Sequence, residues 1–260
     1  MDIDILLHGV IELCYETGNF ISHEREHFNK SAIEYKSFNS LVSYVDKEAE
    51  KKIVSCLKKL LPESNFITEE ETEKPSQGKF TWIIDPLDGT TNFIHNIPCY
   101  CISIGLKKDD EIILGVIYEM NLEECFYAVK GKSAYCNGKE IHVSNVVRLD
   151  DSLIATGFPY ENFGELQEYL RILSVFMKKT HGVRRLGSAA IDLAYTACGR
   201  FEGFFEYNLN SWDVAAGSLI VKQAGGIVTD FSGGDNYIFG KQIVAACGIH
   251  AEMLKIIGKK

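Results

Sequence analysis

Apolar residues recur at positions 3, 6, 7, 10, 14, 20 and 21, with Thr17 completing the row, which predicts one buried helix face over residues 3–21. Residues 22–40 mix His, Glu, Arg and Asn without a period and read as a loop or short hairpin. Leu41, Val45, Ala49, Ile53, Leu57, Leu60 and Leu61 then return every three or four positions, predicting a second helix stopped near Pro62. These two helices are expected to pair. Strand-like runs follow at 65–68, 80–84, 99–106, 111–119 and 124–129. Asn137-Gly138, set between two short β-prone runs, marks a two-residue hairpin. Residues 1–150 therefore read as helices covering a largely antiparallel sheet.

Beyond residue 150 strands and helices alternate. Strands are predicted at 152–156, 183–186, 201–207, 227–230 and 242–246. Helices are predicted at 164–179, 188–198 and 212–224, the last stopped by Gly225-Gly226, with a short one at the end. Alternation of this kind implies a second layer of α/β type. The expectation is an α+β to α/β sandwich, two sheets among helix pairs, with functional residues at strand ends. No repeat or linker separates the halves, so residues 1–260 are taken as one domain with halves at about 1–150 and 151–260.

Composition narrows the function. Among 260 residues, 27 Lys and Arg face 36 Asp and Glu, a net charge of −9. This argues against direct nucleic-acid binding, which would need a basic stripe. No run of about 18 apolar residues is present, so no membrane span is expected. Met1-Asp2-Ile3-Asp4 lacks the basic region of a signal peptide, and a cytoplasmic location follows as an expectation. The eight cysteines form no C-x-x-C pair and read as reduced thiols packed as small hydrophobes, Cys99 and Cys101 among them.

The chemistry concentrates in Trp82-Ile83-Ile84-Asp85-Pro86-Leu87-Asp88-Gly89-Thr90-Thr91-Asn92-Phe93. An apolar strand runs into Asp85, and Pro86, lacking an N–H, is expected to stop the ladder. The turn can aim Asp85 and Asp88 at one point. Gly89 permits close backbone approach, and Thr90 and Thr91 open a predicted helix whose free amides favour a phosphate. Two hard carboxylates beside a phosphate cradle suit magnesium-assisted phosphoryl chemistry, although D-x-x-D alone is also a common turn former. Glu69, first of Glu69-Glu70-Glu71, follows a predicted strand; Asp213 stands where a strand gives way to a helix. Ala215-Ala216-Gly217 implies close packing of that helix, which would hold Asp213 firmly.

With these segments the chain closely resembles the inositol monophosphatase family of magnesium-dependent, lithium-sensitive phosphatases. The first family signature runs from Trp82 to His95. The second runs from Trp212-Asp213-Val214-Ala215-Ala216-Gly217 through Gly225-Gly226. The Glu-Glu after a strand, the Leu41–Asp46 segment and the Gly187-Ser188-Ala189 turn also fit. The resemblance implies the layered αβαβα sandwich of the inositol monophosphatase and fructose-1,6-bisphosphatase type, as a homodimer. It implies Glu69, Asp85 and the Leu87 carbonyl as ligands of one Mg²⁺, and Asp85, Asp88 and Asp213 as ligands of a second. A third, weaker ion would lie near Glu69. Gly89 and Thr90 would bind phosphate oxygens, Asp46 would pair with the Thr90 hydroxyl, and that pair with Glu69 would hold the attacking water. Asp88, Gly187, Ser188, Ala189, Glu206 and Asp213 would contact the substrate. In-line attack by a metal-activated water, without a phospho-enzyme, follows.

The implied substrate is myo-inositol 1-phosphate, with fructose 1,6-bisphosphate, nucleotide 3′-phosphates, NADP and histidinol phosphate as alternatives within the family. Some family members also associate with transcription or ribosome-assembly machinery, so a regulatory binding role is the other alternative. A haloacid-dehalogenase mechanism would need D-x-D-x-[TV] near the chain start, whereas D-x-x-D-G-T stands here at residue 85. Lys36 is either part of a segment that closes the site or a solvated lysine. Arg184-Arg185 reads first as a dimer contact or structural pair and second as a phosphate contact. None of the seven histidines is assigned to catalysis.

Overall fold

The structure is a computed structural model and describes residues 2–27, 33–37, 40–73, 78–158 and 166–258. Helix α1 (Ile3–Glu26) starts on Asp2, whose carboxylate accepts the Asp4 and Ile5 amides. It outruns its predicted end by five residues. The predicted irregular stretch also holds an antiparallel hairpin, β1 (Ile33–Ser37) and β2 (Ser40–Ser43). Leu41 and Val42 thus belong to a strand, and α2 (Tyr44–Leu60) begins later than predicted. The cause is a capping box in which Ser43 and Asp46 satisfy each other's amide and fix the helix start. Lys36 lies on β1; its side chain is outside the described residues.

A seven-stranded sheet follows in sequence order. It comprises β3 (Asn65–Thr68), β4 (Phe80–Asp88), β5 (Cys101–Lys108), β6 (Glu111–Glu119), β7 (Glu124–Val129), β8 (Ala134–Cys136) and β9 (Lys139–Ile141). Only β3 and β4 are parallel; every other neighbouring pair is antiparallel. Asn137 and Gly138 both take positive φ, 49° and 78°, as a type I′ hairpin turn requires. Pro86 does not end its strand. The β4–β5 ladder slips between Asp85 and Asp88 and resumes, so the missing N–H falls in a bulge. Gly89 then leads into the short helix α3 (Thr90–Ile94).

The second sheet is five-stranded, in the order β11 (Gly182–Arg184), β10 (Leu153–Thr156), β12 (Gly203–Tyr207), β14 (Gln242–Ala246), β13 (Ile227–Thr229). Its β10 pairs are parallel and the rest antiparallel. Three apolar cores join five layers, the middle core lying on both sides of its helix pair. Leu13, Ile53, Trp82 and Ile104 seal α1 and α2 onto the large sheet. Ile117, Ile191, Val214 and Phe204 bury α5 (Ala189–Ala197) and α6 (Ser211–Gln223) between the sheets. Ile172, Phe176, Phe205 and Met253 hold α4 (Leu166–Lys179) and α7 (His250–Ile257) on the outer face. Adjacent Phe204 and Phe205 serve different cores because strand side chains alternate. The layering is α/β/α/β/α, as the resemblance implied.

Helix α6 lies unusually close to the large sheet. Gly105 and Gly115 face each other across β5 and β6. A Cβ added at Gly115 would stand 2.7 Å from the Ala216 carbonyl oxygen, and one at Gly105 3.1 Å from the Ala215 Cβ. The predicted close packing of Ala215-Ala216-Gly217 is therefore present. No helix among the described residues is long and apolar enough to cross a membrane. All eight cysteines are free thiols, with Cys101 buried and Cys99 partly so.

Candidate active site

Because β3 and β4 run parallel in register, with Thr68 opposite Ile84, the next residues, Glu69 and Asp85, emerge side by side. The Glu69 amide donates to the Ile84 carbonyl at 3.3 Å. In a regular strand Asp88 would point away from Asp85, three residues earlier. The bulge changes this, since three steps from Asp85 to Asp88 oppose two from Ser103 to Cys101. Asp213 arrives from the first turn of α6, its Oδ2 accepting the Asn210 amide at 2.6 Å. One carboxylate oxygen from each of Asp85, Asp88 and Asp213 lies within 4.8 Å of the others.

Such crowding has an electrostatic cost. Burial, then the charges of Glu69, Asp88 and Asp213, push the Asp85 carboxyl well above the ordinary carboxylate range, and Asp85 hydrogen-bonds Glu69. Asp213 is raised by burial, then by Asp88 and Glu69. Asp88 is pushed up to about 6 by burial, against bonds from Ser188 and Ala190 and the Arg185 charge. Hard oxygen donors that repel one another in this way fit a divalent cation of the Mg²⁺ type.

Gly89 takes a left-handed φ of 99°, and a Cβ there would meet the Cys99 carbonyl oxygen at 2.9 Å, so the position demands glycine. It opens α3, whose first-turn amides have no acceptor within the helix. The Thr90 hydroxyl lies 2.9 Å from Asp46 Oδ1 and 3.1 Å from the Leu87 carbonyl oxygen. Asp46 is buried, and its Oδ2 accepts the Ser43 amide at 2.9 Å and the Ser43 hydroxyl at 2.6 Å. The cap that starts α2 thus also aims Asp46 at Thr90. Burial raises the affinity of Asp46 for a proton, although these bonds act the other way.

Glu69, Asp85, Leu87, Asp88, Gly89, Thr90, Gly187, Ser188, Ala189, Glu206 and Asp213 all line one cleft. Asp46 stands behind it, joined through Thr90. Ser188 caps α5 and donates to Asp88 Oδ2 at 2.7 Å, as does the Ala190 amide. Glu206 is buried on β12, and its carboxyl is raised to about 8 by burial, with Arg185 opposing and Asp88 adding.

The structure adds residues to which the sequence reading gave no site role, or, for Arg185, only a second-choice one. Arg185 enters the cleft, while Arg184 stays outside it, so the doublet divides between cleft and exterior. Asp192 and Trp212 also line it. Glu50, fully buried, accepts the amides of Glu70 at 2.8 Å and Thr72 at 2.9 Å and the Thr72 hydroxyl at 2.6 Å, fastening the loop that carries Glu69. The available signal was spacing: Glu50 stands one turn after Asp46 on the same apolar face. His95 only ends α3 and lines no part of the cleft.

The model of the inositol monophosphatase family matches residues 2–259. Nus factor SuhB of Escherichia coli (strain K12) is 39% identical over 241 residues, covering 92% of this chain and 90% of that one. Inositol-1-monophosphatase of Mesorhizobium japonicum is 36% identical over 256 residues, covering 98% and 96%. The crystal structure of the extragenic suppressor protein suhB from Bartonella henselae superposes with a TM-score of 0.92 at 36% identity, covering 98% of this chain and 99% of that one. On sequence and fold together, the chain belongs to the inositol monophosphatase family.

Proposed function

We propose that this protein is a Mg²⁺-dependent phosphomonoesterase acting on a small polyol or sugar phosphate, myo-inositol 1-phosphate first among them. The observation that carries it is the meeting of Asp85, Asp88 and Asp213 within 4.8 Å, beside Glu69 and the Thr90–Asp46 pair. Glu69, Asp85 and the Leu87 carbonyl would hold one Mg²⁺, and Asp85, Asp88 and Asp213 another, with a third near Glu69. What the metal supplies when bound is charge neutralisation at the phosphoryl oxygens and a lowered pKa for the attacking water.

The protein's own groups do the rest. Gly89 and Thr90 offer backbone amides to the phosphoryl oxygens. Thr90 points its proton at Asp46, which leaves its oxygen to accept from the attacking water. As the water loses its proton to Thr90 Oγ, the Thr90 proton passes to Asp46 Oδ1, and threonine ends unchanged. The burial that raises the proton affinity of Asp46 supports this direction of transfer. Glu206, with the turn Gly187-Ser188-Ala189, receives the polyol. For the homodimer, the exposed apolar row Leu166, Leu170 and Met177 along α4 supports an outer contact face.

A phosphate-release panel with Mg²⁺ tests this reading. It spans inositol 1-phosphate, fructose 1,6-bisphosphate, adenosine 3′,5′-bisphosphate, NADP and histidinol phosphate. Turnover is expected to be highest on inositol 1-phosphate and to vanish with chelator. No release from any ester would refute the assignment. Relatives named Nus factor favour a second reading, a regulatory binding partner. Asp85→Asn separates the two, since a cellular effect that survives it would be a binding effect.

A further inference from the structure

One acid on α5 has no part in the chemistry above. Asp192 stands one turn into the helix, its amide donating to the Ser188 carbonyl at 3.0 Å, among buried Ala190, Ile191, Leu193 and Ala194. It is 1% exposed, and its Oδ1 has no hydrogen-bond partner among the described residues. The helix dipole favours an acid in this turn, but an exposed side chain would satisfy that preference equally. An unmatched carboxylate oxygen at this depth is costly and calls for a partner from outside the chain.

The surroundings show what partner fits. Asp192 lines the cleft with Glu206 and Arg185. The charge of Arg185 acts on Asp88, Asp192 and Glu206 alike, and its guanidinium lies 5.6 Å from the centre of the Phe158 ring. The wall is shaped around the acids: a Cβ at Gly157 would fall 2.0 Å from Glu206 Oε1. Two carboxyl groups accept and one guanidinium donates, which matches a ring carrying several hydroxyls. An aromatic or aliphatic alcohol would leave Asp192 unmatched.

We propose that Asp192 is a second hydroxyl acceptor beside Glu206, its orphaned Oδ1 taking a hydrogen bond from a ring hydroxyl of a polyol phosphate. This deepens the phosphatase reading and rests on it. Asp192 is a specificity residue: it discriminates the alcohol part of the ester and leaves the phosphoryl chemistry alone.

The test compares Asp192→Leu and Asp192→Asn with wild type on inositol 1-phosphate and on p-nitrophenyl phosphate, an ester without ring hydroxyls. Calorimetric Mg²⁺ titration monitors the acidic centre independently of turnover. Asp192→Leu is expected to lower kcat/KM for inositol 1-phosphate about 10- to 100-fold, the cost of leaving one ring hydroxyl without its acceptor in a closed site. On p-nitrophenyl phosphate it should change activity less than about twofold, with Mg²⁺ binding unaltered. Asp192→Asn, which keeps an acceptor oxygen and covers the case that leucine does not fold, should retain most of the discrimination. Equal loss on both esters, or no loss on either, overturns the role of Asp192 while the phosphatase reading stands. Loss of discrimination in Asp192→Asn overturns it too. If wild type hydrolyses neither ester, the phosphatase reading itself falls, and this one with it.

Discussion

Asp85→Asn should make the metal-free protein more stable while removing its function. Asp85 is 2% exposed and is raised by three acidic neighbours, two of which bring an oxygen within 4.8 Å. At an effective dielectric near 20, one such pair repels by 332/(20 × 4.8), about 3.5 kcal/mol. Proton uptake by the cluster relieves part of this, and asparagine keeps an acceptor for the Leu87 amide now bonded at 2.9 Å. A net gain of about 2 kcal/mol remains, or roughly 4–8 °C in melting temperature for a chain of this size. Magnesium should reverse the order. Wild type gains about 2.7 kcal/mol at a hundredfold excess over Kd, and the variant gains little.

The sign with pH follows from the same groups. Asp85, Asp88 at about 6 and Glu206 at about 8 all lie above the ordinary value near 4. The folded protein therefore holds protons that the unfolded chain has released, and metal-free stability falls as pH rises from about 4 through 8. Asp85→Asn should flatten that slope. Scanning calorimetry of chelator-treated protein at pH 5 and pH 8, with and without Mg²⁺, reads all three effects. A metal-free variant less stable than wild type, or an equal Mg²⁺ shift in both, would defeat the electrostatic account.

Thr90→Ala should lower kcat by about 10²- to 10⁴-fold, the usual worth of a proton-transfer group, with Mg²⁺ affinity within about threefold by calorimetry. A kcat within tenfold of wild type would remove Thr90 from the proton path. Glu50→Leu should cost about 2–4 kcal/mol, because the Glu70 and Thr72 amides lose their acceptor. It should also weaken Mg²⁺ binding through the loop that carries Glu69; unchanged metal affinity would separate Glu50 from the site. Gly157→Ala should displace the Glu206 carboxylate and raise KM for inositol 1-phosphate at least about tenfold, since the new methyl overlaps it. Unaltered steady-state constants would show that Glu206 does not meet the polyol.

Much of the layering was legible because apolar periodicity is a local signal. Phe204 and Phe205, Val10 and Ile53, and the Asn137-Gly138 turn each announce their place within a few residues. Where the reading erred, a second signal overlaid the first. Leu41 extends the apolar period of α2, yet the Ser43–Asp46 cap starts the helix later. Pro86 breaks the ladder as expected, but the strand absorbs it in a bulge instead of ending. Asp85 and Asp88 were legible from their strand and turn, but only the motif resemblance joined Glu69 and Asp213 to them, since no local rule assembles acids so far apart along the chain. Arg185 and Asp192 were not, because nothing in a charged doublet or a helical acid says which side chain turns inward until the second sheet and α5 are in place.

The contact of α6 with Gly105 and Gly115 leaves almost no compressible material between the helix that delivers Asp213 and the strands continuous with those that deliver Asp85 and Asp88. Rotamer changes can cushion a side-chain interface, but they cannot cushion one made of main chain and methyl groups. The spacing of the acids is thus gauged like a caliper, its jaws set within one helical turn of Asp213. A single methyl added at Gly115, which lines no part of the cleft, would be felt first as a wrong gap between carboxylates.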